Sequence, residues 1–108
     1  SGYDAFLLPV SSTPAFQHIP WKSSTELQKA TVDVDGRPVQ YHVASQSYTL
    51  PFNLTGSPVL VLPIGRSAQG LPFGIQLVGK RWSESTLLAL GEKISREITG
   101  SFVPPSGY

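Results

Sequence analysis

Few side chains in this sequence have the type and spacing that a catalytic or metal site requires. The two histidines, His18 and His42, lie far apart in a chain without cysteine, so neither a zinc site nor a thiolate nucleophile is predicted. No Gly-x-Ser-x-Gly nucleophile elbow occurs. The stretch 65–70 has a glycine at each end and joins two apolar runs without starting a helix, which is typical of a turn and not of a phosphate-binding loop. We assign no catalytic residue, no metal ligand and no cofactor to this chain.

The acidic side chains offer no general acid or base either. Asp33 and Asp35 flank a predicted tight turn, and Glu92 and Glu97 fall on the polar side of a predicted helix. General acid–base catalysis needs a carboxyl group held against the reacting proton. Neither pair has such surroundings, and both are interpreted as solvated surface residues.

Three apolar runs predict the strands of the framework. Residues 6–10 run out into a proline-containing loop, and Pro9 restricts this run to a strand end or an edge strand. Residues 59–64 are apolar throughout, which predicts a strand covered on both faces. Residues 73–79 form a further strand, and the short connection between the last two predicts an antiparallel pair.

A β-hairpin is predicted over residues 31–43. Valine and tyrosine alternate with polar residues on both sides of Asp35-Gly36. An Asp-Gly pair supplies the positive φ angles that a tight hairpin turn needs. This prediction places His42 on the second strand, as a solvated residue.

Helices are predicted near residues 25–30, over 44–56 and over 84–98. The second carries Pro51 in its first turn or at a kink, and Gly56 at its C-terminal end. The third follows Ser83, which can cap it, and ends at Gly100. Its apolar residues recur at spacings of three and four, which predicts one buried side made of Leu87, Leu90, Ile94 and Ile98.

Composition limits the partners and the setting. The length of 108 residues predicts a single domain over 1–108, and the net charge of +1 gives no indication of nucleic-acid or membrane-surface binding. No apolar run approaches the ~18 residues of a transmembrane helix, and no signal peptide opens the sequence, so a cytoplasmic setting is expected. Charged residues make up only 14% of the chain, against about 25% in typical domains, which favours a partly covered surface.

The predicted elements do not cover each other completely. The strand at 59–64 needs cover on both faces, and the amphipathic helix at 84–98 can cover only one. The remaining cover has to come from the loops at 11–30, from another chain, or from the rest of a larger protein. An uncovered apolar face and an unpaired strand edge favour association, so we expect a homo-oligomer, most simply a two-fold dimer.

Three stretches carry motifs in a characteristic order. They are residues 3–10 (YDAFLLPV) with the Thr-Pro-Ala of 13–15, residues 48–58 (YTLPFNLTGSP), and residues 70–79 (GLPFGIQLVG) with the Glu-x-x-Leu-Leu of 84–88. Together they resemble the C-terminal third of amidase-signature enzymes. The first resembles the family's Asp-x-Leu-Leu-x-Pro strand, and the second its Thr-x-Pro-x-Asn-Leu-x-Gly-x-Pro segment. The resemblance extends over nearly the whole chain.

The resemblance implies hydrolysis or transfer at amide bonds. The family uses a serine nucleophile, a second serine on a cis peptide and a lysine base, with an oxyanion site built from a Gly-Gly-Ser-Ser-type loop. That motif is absent from these 108 residues. None of the four lysines has a matching sequence context: Lys22, Lys29, Lys80 and Lys93. No catalytic residue is therefore carried over from the family.

The resemblance also implies a substrate-binding role for the segment before Asn53. We expect four of its residues to border the acyl-substrate pocket of the complete fold: Gln46, Tyr48, Thr49 and Phe52. In the glutamine-dependent amidotransferase branch, an aspartate holds the amine of glutamine at the position of Gln46. A neutral amide cannot offer that charge pairing, which favours a general amidase.

These observations predict an α/β fold, with a mixed sheet, a β-hairpin and flanking helices. The predicted function is that of a C-terminal fragment of an amidase, which supplies sheet strands and part of the substrate pocket and is catalytically incomplete alone. Its expected partner is a second copy or the missing N-terminal catalytic portion. The alternative is a small non-catalytic domain that self-associates or binds another protein.

Overall fold

The computed structural model describes residues 2–100, and the predicted single domain over 1–108 extends beyond them at both ends. The described residues form both helices and strands, as the predicted α/β fold requires. The last helix, α4 (Glu84–Ile94), continues as the π-helical segment Ser95–Thr99. In chain order the elements are β1 (Ala5–Pro9), α1 (Ser24–Lys29), β2 (Thr31–Val34), β3 (Arg37–Gln40), α2 (Tyr41–Gln46), α3 (Leu50–Thr55), β4 (Val59–Arg66), β5 (Pro72–Gly79) and α4 (Glu84–Ile94).

The main sheet has three strands in the order β1-β5-β4, and both pairs are antiparallel, as predicted for β4 and β5. The two apolar runs pair in a register that sets Leu60 opposite Leu77 and Leu62 opposite Ile75. A bulge interrupts the ladder between Pro63 and Gly65. At this point the strands approach so closely that only glycine fits, because a Cβ on Gly74 would lie 2.7 Å from the carbonyl oxygen of Leu62.

The first strand forms one edge of this sheet. Leu7 lies opposite Leu77, and the pairing with β5 ends where Pro9 faces Ile75. The edge position and the strand end are the two places where proline is tolerated, because its nitrogen cannot donate to the ladder. The prediction for this run is therefore confirmed.

Helix α4 covers one face of the sheet and creates the core. Leu62, Leu77 and Leu87 form its buried centre, with partly buried apolar residues packed around them. Gly91 permits the close contact of helix and sheet, because a Cβ there would overlap the Leu60 side chain. The predicted spacing of Leu87, Leu90 and Ile94 is confirmed by this packing.

The opposite face of the sheet is only partly covered by the described residues. Burial alternates along β4, with Leu62 in the core while Val59 and Val61 are 41% and 52% exposed. Phe6 of β1 is exposed as well. The apolar run of β4 thus has cover on the α4 side, and the other side presents apolar side chains to solvent.

The predicted hairpin is correct in its turn and too long in its second strand. Asp35 and Gly36 have φ angles of 51° and 78°, as the turn requires. The strand ends at Gln40, whose side-chain oxygen accepts a hydrogen bond from the backbone N–H of Val43 and caps α2. Residues 41–43, predicted as strand, are therefore helical, and His42 lies half-buried on α2.

Two details of α4 also differ from the prediction. Ser83 does not cap the helix with its side chain, which donates instead to the carbonyl of Lys80. Ile98 is exposed, and it lies in the π-helical segment that follows Ile94. Gly100 ends the segment with a φ of 62°, as expected.

Of the helices described within residues 2–100, none has the length and apolar character needed to cross a bilayer.

Candidate functional site

An apolar concavity lies where β1 leaves the sheet. Beyond the Pro9–Ile75 pair, β5 continues toward Pro72 alongside β4 only. The exit loop, defined as residues 10–15, diverges from β5 there and leaves a cavity of about 740 Å³. Residues 7–15, Val61 and residues 72–75 line it. The volume falls within the ~300–1,000 Å³ of small-molecule pockets, and the lining is mostly apolar, as such pockets are.

A second stretch of interest is the pocket segment, defined as residues 46–52. It runs from the last residue of α2 through a turn into α3, and Thr49 stands at the N-terminus of α3 with Pro51 in the first turn. Gln46 and Tyr48 are exposed, and Thr49 and Phe52 are half-buried. None of these four predicted residues is among those that line the cavity. These four residues were predicted to border the acyl-substrate pocket of the complete fold, and this stays a prediction.

Hydrogen bonds fasten the exit loop to α2. The carbonyl oxygen of Ala44 accepts from the backbone N–H of Ser12 at 3.1 Å and from the hydroxyl of Ser11 at 3.2 Å. Ala44 itself is fully buried. Two consecutive residues of the loop are thus held by one carbonyl just before the pocket segment, which limits the movement of the loop relative to α2.

Gln76 makes a second connection, and it was not among the site residues predicted from the sequence. It is the one buried polar residue found among those described, with 0% of its surface exposed, and it lies between Ile75 and Leu77 in β5. Its Nε2 donates to the carbonyl oxygens of Pro9 and Tyr48, each at 2.7 Å. The detectable signal was a glutamine inside an apolar run, although its two partners could not be found from the sequence.

The residues that line the cavity include Ser11 and Ser12 and no lysine. The four lysines are all exposed, whereas a lysine base has to be kept neutral by an apolar or cationic environment. The hydroxyl of Ser11 donates to the carbonyl of Ala44, and Ser12 donates to the same oxygen through its backbone N–H. The site is therefore a mostly apolar surface, and the β1 end and exit loop that line it are hydrogen-bonded to Gln76 and to α2.

Comparison with known proteins gives consistent results. The family model described as Amidase matches residues 1–88. The chain is 38% identical over 104 residues to a glutamyl-tRNA(Gln) amidotransferase subunit from Nitrobacter hamburgensis, covering 96% of this chain and 18% of that protein. It is 41% identical over 101 residues to the amidotransferase subunit of the same name from Methylacidiphilum infernorum, covering 94% and 17%. A solved structure titled "Crystal structure of amidase" matches with a TM-score of 0.71 and 33% identity, over 90% of this chain and 20% of that one. The chain thus spans a fifth or less of the length of these proteins.

Proposed function

This chain belongs to the amidase family, and on that premise we propose that it supplies sheet strands and one side of the substrate pocket in an enzyme that hydrolyses amide bonds. The observation that carries the proposal is the apolar cavity between the exit loop and β5, which two of the family-like motifs border. The 108 residues contain no Gly-Gly-Ser-Ser motif, so the nucleophile and base would come from the N-terminal catalytic portion. The chain alone is catalytically incomplete.

The pocket segment would complete the binding surface. Tyr48 is bonded through its carbonyl to the same glutamine that holds Pro9, at the start of the exit loop. Gln46, Tyr48, Thr49 and Phe52 would then border the acyl group of the substrate beside the cavity. An apolar cavity with few polar groups suits an uncharged aliphatic or aromatic acyl group.

A hybrid enzyme tests this proposal. Residues 1–108 would replace the matching segment of the structurally characterised amidase, and release of ammonia from acetamide and benzamide would be measured. The hybrid should hydrolyse at least one of these amides, while the isolated chain and the amidase truncated before the segment should not. Activity of the purified chain above a mock purification, or a folded hybrid without activity, would contradict the proposal.

We also propose that the complete enzyme is an amidase that does not depend on glutamine. The two relatives from Nitrobacter and Methylacidiphilum are amidotransferase subunits. The proposal that this enzyme does not use glutamine rests on Gln46 alone, because its neutral side chain lacks the charge that would pair with the amine of glutamine. The hybrid should hydrolyse benzamide faster than glutamine, and Gln46→Asp should raise kcat/KM for glutamine. The matched control Gln69→Asp lies in the exposed β4–β5 turn and should leave it unchanged. Efficient hydrolysis of glutamine by the unmodified hybrid would refute the assignment.

The alternative function, self-association without catalysis, is favoured by one observation. Val59 and Val61 leave an apolar strip on the sheet face that α4 does not cover. We propose that the isolated chain forms a homo-oligomer through this face, most simply a two-fold dimer burying at least ~1,000 Å². Light scattering after size exclusion should give about twice the monomer mass of 11.6 kDa, and Val61→Lys should restore the monomer. A monomer at high micromolar concentration would contradict the proposal.

A further inference from the structure

Gln76 stands out because it is a fully buried polar side chain in the middle of an apolar strand. Its neighbours across the ladder are Leu8 of β1 and Val61 of β4. Burying an amide costs free energy unless it is hydrogen-bonded. An apolar residue of similar volume would fill the same space without that cost, so packing alone does not explain the glutamine.

The orientation of the Gln76 side chain follows from its partners. Both atoms within hydrogen-bond distance are carbonyl oxygens, which only accept, so the NH₂ group must face them. The two hydrogens of Nε2 are then used by Pro9 and Tyr48. The Oε1 atom has no protein partner among the described residues. The hydrogen bonding of this side chain is therefore directed at these two backbone groups.

These two carbonyls belong to the two sides of the proposed pocket. Pro9 ends β1 and begins the departure of the exit loop, which lines the cavity. Tyr48 lies within the pocket segment, between α2 and α3. The bonds connect residues that are 67 and 28 positions from Gln76 in the sequence. One side chain of β5 thus bonds both to the residue before the exit loop and to the pocket segment.

We propose that Gln76 is a positioning residue of the substrate pocket, which sets the width between the exit loop and the pocket segment and thereby the size of acyl group that the enzyme accepts. This inference rests on the proposed function. The bonds of Ser11 and Ser12 to Ala44 hold the far side of the exit loop. Loss of the Gln76 bonds therefore frees the near side, beside Pro9, while the loop stays attached.

The first experiment measures selectivity in the hybrid enzyme. Gln76→Met keeps the length and volume of the side chain and removes both donors, and Gln69→Met is the control at an exposed position. Displacements of about 1 Å at a binding site cost up to ~100-fold in rate. We expect the ratio of kcat/KM for benzamide to that for acetamide to change on the order of 10- to 100-fold in Gln76→Met and to stay constant in the control. An unchanged ratio with a lowered melting temperature would show a structural role only and overturn the proposal.

The second experiment does not depend on activity. Hydrogen–deuterium exchange in the 108-residue chain should become faster at both 9–15 and 46–52 in Gln76→Met, and at neither in Gln69→Met. If neither segment responds, Gln76 does not hold them and the proposal is wrong. Should Gln76→Met fail to fold, Gln76→Leu, which also has no donor, replaces it in both experiments. An inactive unmodified hybrid would refute the proposed function, and the exchange result would still decide whether Gln76 holds both segments.

Discussion

Replacing Leu87 by alanine should remove a large share of the stability of this fold. The side chain is 3% exposed and lies between Leu62 and Leu77 at the centre of the core. Three carbon atoms are lost, worth about 2.4 kcal/mol at ~0.8 kcal/mol per buried CH₂. Incomplete collapse of the surrounding side chains adds to this, so we expect a loss of about 3 kcal/mol, within the 2–5 kcal/mol range of such substitutions. The core contains only a few fully buried side chains, so little else would compensate.

The adjacent residue provides the control. Leu88 is 61% exposed on the same helix, and Leu88→Ala should change the free energy of unfolding by no more than ~0.5 kcal/mol. Urea unfolding followed by circular dichroism measures both variants. With an m value of about 1.5 kcal/mol/M, Leu87→Ala should lower the midpoint by about 2 M. Similar shifts in the two variants would show that α4 does not present this side to the sheet, and the account of the core would be refuted.

Three further outcomes follow from local contacts. Gly74→Ala should destabilise the fold by roughly 1–3 kcal/mol, because the new Cβ meets the carbonyl oxygen of Leu62 at 2.7 Å; a higher urea midpoint would contradict this. In Gln76→Glu, burial and the two facing carbonyl oxygens disfavour the charged carboxylate. The pKa of the introduced carboxyl should therefore be higher in the folded chain than in the unfolded chain, where it is about 4.3. The stability of this variant should then be greatest below pH ~4.3 and fall as the pH rises through the folded-state pKa. A stability that increased over this range would refute the buried arrangement. Arg96→Ala removes an exposed ion pair to Glu92 and should cost no more than ~0.5 kcal/mol; a loss above 1 kcal/mol in the same urea assay would show that the pair is not a simple surface contact.

Elements whose pattern has a single physical meaning could be predicted from the sequence. The Asp35-Gly36 pair determines the hairpin turn because few other residues adopt positive φ easily. Gly56 ends α3 with a φ of 64° for the same reason. The spacing of Leu87, Leu90 and Ile94 has one helical interpretation, and the core confirms it.

The errors fall where a short pattern has two meanings. Alternation at Val39, Tyr41 and Val43 suits a strand, yet a helix of six residues is too short to show the spacing that would distinguish it. The side chain of Gln40 decides between them by capping α2. Ile98 continued the helical spacing, which held only until the hydrogen bonding changed after Ile94.

The candidate site was harder to predict because its parts are distant in the sequence. The resemblance assigned substrate binding to the segment with Tyr48, whereas the cavity is lined by Pro9, the exit loop and part of β5. What joins them is the amide of Gln76, whose acceptors are backbone carbonyls. Any residue provides a carbonyl, so no pattern of side chains could have revealed these two.

The strand order β1-β5-β4 also determines when the sheet can form. The β4–β5 hairpin connects neighbours in the sequence and can close locally. Strand β1 ends at Pro9, and its partner β5 begins only at Pro72. Contacts between distant residues slow folding, because the intervening loop loses entropy before the contact contributes. Gln76 follows Pro9 by 67 residues, so a ribosome adding about 5–20 residues per second needs roughly 3–13 s to supply the partner. During that time the edge of β1 that pairs with β5 has no partner strand, and an unpaired apolar edge favours aggregation or chaperone binding.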